Sequence, residues 1–174
     1  MNNLNNQKLC VFYDLVGYNK TWSTYSNEIR GADKTQFIPY LQLNGNTREA
    51  IGFYEKVFHA ETLGVITFGE MPTSPDFPLP EDAKDLVAHD TIKVGESVIM
   101  FSDTFPGQPA QEGNLVTICI TFDNADKARQ VFDALQDGGQ VEMPLSETSF
   151  NPAYGVIKDK FGVTFQFYNE GSQG

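Results

Sequence analysis

An α+β fold of two β-α-β-β-β modules is the architecture this sequence predicts, and three observations point to it. Strand, helix and three further strands can be read from residue 37 to 103, and the same order returns from 115 to 170. The two helices superpose: setting Asn46 on Asn124 puts Ala50 on Ala128, Tyr54 on Phe132 and Val57 on Leu135, an internal repeat of about 78 residues. Between the halves, "TFPGQPAQEGN" (104–114) carries Gly and Pro at loop density.

Residues 1–36 are polar and irregular, and read as an N-terminal extension of unknown role. Within it "LCVFYDLVGY" (9–18) is compatible with either a short strand or a short helix. In "FIPYLQLNGN" (37–46), Leu41 and Leu43 alternate with Tyr40 and Gln42, as in a half-buried strand. Asn46 followed by Glu49 has capping-box spacing, and Ala50, Tyr54, Val57 and Phe58 make an apolar stripe of helical period that should end near His59. At that end a histidine cation suits the helix dipole, a structural role. A second strand is expected at 61–69, a proline-rich loop at 70–80 and a short helix over Glu81–Leu86.

"AHDTIKVGESVIMFSD" (88–103) is the clearest hairpin. Gly95-Glu96 suits a two-residue turn with Gly first, which sets Val94 opposite Ser97, Ile92 opposite Ile99, Thr91 opposite Met100 and His89 opposite Ser102. In the second half "LVTICITF" (115–122) reads as a strand, 124–139 as a capped helix ending at glycines, "QVEMPL" (140–145) as a strand and "YGVIKDKFGVTFQFY" (154–168) as a hairpin. In "DKFGVTFQF" (159–167) Gln166 falls on the face that does not carry Val163, Phe165 and Phe167.

Twelve Lys and Arg against 23 Asp and Glu give a net charge of −11, which repels phosphate backbones and argues against nucleic acid as a partner. Cys10 and Cys119 match no metal or redox spacing, so the chain reads as intracellular with reduced thiols, and a disulfide between them is the minor reading. Neither a signal peptide nor an apolar run long enough to cross a membrane is legible, so a cytoplasmic protein is expected, and Asn19-Lys20-Thr21 is read as a chance glycosylation match.

The segments "PYLQLNGN" (39–46), "FYEKVF" (53–58), "AHDTIKVGESVIMFSD" (88–103) and "YGVIKDKFGVTFQF" (154–167), in this order and doubled, make residues 37–170 similar to the vicinal oxygen chelate superfamily of glyoxalases, bleomycin-resistance proteins and extradiol dioxygenases, and within it to the PhnB-like group. The resemblance implies curved sheets whose concave faces carry a ligand site, and a homodimer. In metal-using members the ligands come from the first and last strands of each module. Here those places fall on Tyr40 (Pro39 without a gap), Met100, Thr117 and Gln166, a set without charge that suits no divalent first-row metal. No metal and no cofactor is therefore expected, and Gln166 keeps the shape of a metal-binding glutamate with only hydrogen-bonding capacity.

The residues expected to face a small-molecule ligand are Tyr40, Gln42, His89, Met100 and Ser102 in the first module, with Thr117, Phe150, Tyr154 and Gln166 in the second; Tyr168 is a further lining residue. His89 is the candidate catalytic group, with a structural histidine as the rival reading, since Asp90 and Asp103 point to the other face. Cys119 shares a face with Thr117 and Thr121 but has no neighbouring base in sequence to make it a nucleophile. The leading expectation is a metal-independent binder. A lyase or isomerase using His89, a metal-dependent glyoxalase- or dioxygenase-type enzyme, and a sequestering protein of the bleomycin-resistance kind are the alternatives, and whether the chain is an enzyme stays open.

Overall fold

The Gly95-Glu96 turn organises the first module, with Gly95 at φ +59°, the left-handed conformation that a glycine adopts without strain. It joins β3 (Val87–Val94) to β4 (Ser97–Asp103) in the register Val94 to Ser97, Ile92 to Ile99 and Thr91 to Met100, the pairing that the sequence predicts. Strand β1 (Tyr40–Leu43) runs parallel to β4, helix α1 (Thr47–Phe58) follows, and β2 (Glu61–Thr67) adds antiparallel to β3. The second module repeats the plan with β5 (Ile118–Phe122), α2 (Ala125–Leu135), β6 (Gln140–Ser146), β7 (Tyr154–Lys158) and β8 (Thr164–Asn169). The sheets have strand orders β1-β4-β3-β2 and β5-β8-β7-β6, so among the described residues β1 and β5 are both edge strands. This computed structural model describes residues 35–72 and 78–170. Residues 9–18, Cys10 and almost all of the N-terminal extension lie outside them.

Each helix covers one face of its sheet and the two interiors merge. Ala50, Tyr54 and Val57 on α1 and their repeat partners Ala128, Phe132 and Leu135 on α2 are all buried, in one apolar cluster with Phe101, Ile157, Phe165 and Phe167. Tyr54 is the joint. Its ring lies against Phe101 of its own module and Phe165 of the other, and its hydroxyl donates to Asp159 Oδ2. Asp159 Oδ1 accepts from the Phe161 and Val163 amides, so the aspartate of "DKFG" both folds its own turn and receives the first module. Burial pushes up the Tyr54 hydroxyl, the Asp159 charge adding to it. Burial also raises the Asp159 carboxyl, with its hydrogen bonds opposing.

Local details depart from the sequence reading. Asn124 caps α2 as expected, accepting from the Asp126 and Lys127 amides, but the Asn46 side chain makes no cap bond. Its place is taken by Asp103, whose Oδ1 accepts from Thr47 N (3.0 Å) and whose Oδ2 accepts from Val87 N (2.8 Å). The carboxylate thereby ties the first amide of α1 to the first amide of β3. His59 closes α1 in the left-handed conformation usually left to glycine, at φ 53°. Strand β5 starts at Ile118, leaving Leu115 and Val116 out of the sheet at 96% and 80% exposure. The expected helix over Glu81–Leu86 is a single 3-10 turn, Glu81–Ala83.

Candidate functional site

The sheet faces turned away from the helices carry two polar clusters, one in each module. In the first, strand alternation puts His89, Thr91 and Met100 opposite the buried Ile92, Ile99 and Phe101. His89 is half-buried between Tyr40, whose hydroxyl is 3.4 Å from Nδ1, and Thr91, whose hydroxyl is 3.3 Å from Nε2. Burial lowers its pKa, so the imidazole is neutral at pH 7 and retains one donor and one acceptor nitrogen. Ser102 is on the same strand face but buried, whereas Gln42 is exposed at the β1 edge. Asp90 and Asp103 are buried on the helix side, as their alternation requires.

In the second module, Gln166 Nε2 donates to Thr117 Oγ1 at 2.8 Å and the Tyr154 hydroxyl donates to Gln166 Oε1 at 3.3 Å. Phe150 stands edge-on to Tyr154, ring centroids 5.3 Å apart, on a loop that Asn151 ties to the end of β8. With Gln166 accepting at one end and donating at the other, the Thr117 hydroxyl proton and one Gln166 N–H remain to donate outward.

The register identifies a residue that sequence reasoning placed on this face without giving it a ligand position. Leu43 O accepts from Thr104 N and Phe122 O from Glu170 N, which makes Leu43 and Phe122 equivalent. Tyr40, paired with Met100, then matches Cys119, paired with Gln166, while Thr117 lies two residues earlier and joins through its side chain. The equivalence is one residue out of step with the helix repeat, so spacing alone could not find it. The Cys119 thiol is free, and its pKa is raised by burial and by Glu170, which leaves it a neutral donor.

A groove of 420 Å³ lies elsewhere, between the β1 edge and the segment entering β5, walled by residues 110–113 and the 160–164 turn. Tyr40 and Gln42 line it; His89, Met100, Thr117, Phe150, Tyr154 and Gln166 do not.

Residues 37–167 match the model of the glyoxalase/bleomycin resistance protein/dioxygenase superfamily. The chain belongs to this superfamily. It is 33% identical to protein YjdN of Escherichia coli (strain K12) in an alignment 134 residues long that covers 72% of this chain and 88% of YjdN. The crystal structure of protein PA1353 from Pseudomonas aeruginosa is similar at 32% identity and a TM-score of 0.71, covering 80% of this chain and all of that one (100%). The Bacillus cereus PhnB protein shares the fold at 21% identity and a TM-score of 0.64, with 78% and 99% coverage.

Metal-using members of the superfamily draw ligands from β1, β4, β5 and β8. The corresponding side chains here are a phenol (Tyr40), a thioether (Met100), a thiol or hydroxyl (Cys119 or Thr117) and an amide (Gln166). This donor set offers neither a carboxylate nor an imidazole and does not fit a divalent first-row metal. Among the described residues no group of three or more His, Cys, Asp or Glu could hold a metal, and no helix is long and apolar enough to cross a membrane.

Proposed function

We propose that this protein is a PhnB-like binder of an uncharged small molecule, held on the open sheet faces by hydrogen bonds rather than by a metal. The observation that carries this reading is the Thr117–Gln166–Tyr154 chain, in which the residue at the metal-ligand place is tied at both ends of its amide. Two outward donors, flanked by Phe150 and the exposed Met143, favour a ligand with a neutral acceptor and an apolar body. Met100 and His89 are the matching contacts in the first module.

A second reading, proton transfer by His89 in a lyase or isomerase, is favoured by its neutral imidazole beside the Tyr40 hydroxyl. The proposal includes a homodimer in the cytoplasm. Pairing is supported by two apolar side chains left almost wholly in solvent where the chain enters β1 and β5: Phe37 (100%) and Leu115 (96%).

The test is a ligand screen by mass spectrometry under native conditions, followed by variants. His89→Ala and Gln166→Ala are expected to keep the fold and to weaken a captured ligand by about 1–3 kcal/mol each. Unchanged affinity in both would remove the open faces as the site, and loss of turnover in His89→Ala alone would favour the enzyme reading.

A further inference from the structure

We propose that the groove between β1 and the entry to β5 is a second binding site, for an uncharged ligand whose hydroxyl or amide groups both donate and accept hydrogen bonds. It adjoins the open-face site, with Tyr40 at the boundary of the two, but its argument does not rest on that reading.

The groove's 420 Å³ falls within the range of about 300–1,000 Å³ usual for small-molecule sites. Its walls are fixed before any ligand arrives. Asn44 Oδ1 accepts from Ala110 N at 2.8 Å and its Nδ2 donates to Ala110 O, pinning the loop that forms one side. Further along that loop the Glu112 carboxylate lies against Gly162, whose φ of +85° is the left-handed conformation that favours glycine.

The charges at the groove are paired within the protein. Lys160 Nζ is 2.8 Å from Glu49 and sits over the Phe53 and Phe161 rings, while Glu112 is 2.6 Å from Lys158 Nζ. A charged ligand would have to break one of these pairs. What remains for a ligand is neutral: the Gln42 and Asn46 amides and the Thr164 hydroxyl line the groove without a side-chain hydrogen bond among the described residues. Each amide presents a donor and an acceptor side by side, which complements hydroxyls or another amide. The backbone adds to this. Pro39 O and Leu43 O point toward β4, accepting from Met100 N and Thr104 N, so by alternation the N–H and C=O of Gln42 face the side of β1 that no described strand pairs. Ile118 and Val163 supply apolar contact on the same lining.

Hydroxyls and amides come from different sources, a sugar and a short uncharged peptide, and two compounds separate them. The full chain labelled with nitrogen-15 would be titrated with cellobiose and with N-acetylalanine methylamide, following the side-chain NH2 signals of Gln42, Asn46 and Gln166. The expected result is a saturable shift of the Gln42 and Asn46 signals with at least one compound, and at least tenfold weaker binding in the Gln42→Ala/Asn46→Ala double variant. Both positions are exposed and Asn46 makes no cap bond, so that variant folds; Thr164→Val is a second with the same expectation. No saturable shift with either compound, binding unchanged in both variants, or tighter binding of sodium acetate would overturn the proposal. Shifts confined to Gln166 would overturn it too while supporting the open-face site.

Discussion

Asp90 is a carboxyl in the wrong place for its charge, and replacing it should reveal how much the fold tolerates. It faces the helix side of β3, is 0% exposed, and neither oxygen has a hydrogen-bond partner among the described residues. Burial pushes its pKa from an ordinary 3.8 to about 6, partly opposed by the nearby Thr91 backbone and reinforced by the Glu55 carboxylate on α1. A folded-state pKa above the unfolded one means that the folded chain holds the proton more tightly. The stability this gives is complete below about pH 3.8 and is lost as pH rises through about 6. The gap between 3.8 and about 6 corresponds to about 3 kcal/mol, of which about 2 kcal/mol is gained on going from pH 8 to pH 4.5. Asp90→Asn removes the charge and keeps the shape. Its own unsatisfied amide costs the same at every pH, so the diagnostic quantity is the difference between variant and parent, measured by urea unfolding at pH 8 and pH 4.5. The variant should gain about 2 kcal/mol on the parent at pH 8 relative to pH 4.5. An offset that is equal at the two pH values would show that Asp90 does not carry this proton.

Three further perturbations test the frame that holds the sites. Truncating Tyr54, Val57, Phe132 or Leu135 to Ala should each cost about 2–5 kcal/mol in urea unfolding, and small losses in all four would mean that the helices pack differently. Asp103→Ala strands the buried amides of Thr47 and Val87 and should cost at least about 1–3 kcal/mol, whereas Asn46→Ala should cost almost nothing. Gly139→Ala would bring a Cβ within 2.5 Å of Leu135 O and 2.8 Å of Lys158 O, and the overpacking should lower stability by about 1–3 kcal/mol, read as a lower melting temperature.

Contacts set by local chemistry were legible in the sequence. The Gly95-Glu96 turn fixed the register around His89, and the helical period gave the buried stripe of both helices. The facing of Gln166 away from Phe165 and Phe167 followed from alternation alone. What spacing did not show were contacts made across the fold. Asp103 replaces Asn46 as the cap from 56 residues away in the chain, and nothing near Asn46 announces it. Cys119 emerged as the partner of Gln166 only through the ladder, because the strands and helices of the two modules repeat one residue out of step. The groove was invisible for a similar reason: its walls come from β1, the 110–113 loop and the 160–164 turn, which Tyr54 on Asp159, Glu49 on Lys160 and Asn44 on Ala110 bring together across the fold.

The proposed function rests on Gln166, hydrogen-bonded at both ends of its amide, occupying the place from which metal-using superfamily members draw a ligand. Its most direct test is elemental analysis of protein purified without chelator and then dialysed against zinc, nickel, manganese and ferrous iron, run beside a Met100→Glu/Thr117→His/Gln166→Glu variant. Far less than one equivalent of any metal is expected in the parent chain, and measurable uptake in the variant, whose new ligands supply charge and imidazole. One equivalent bound by the parent, and lost in Gln166→Ala, would contradict it.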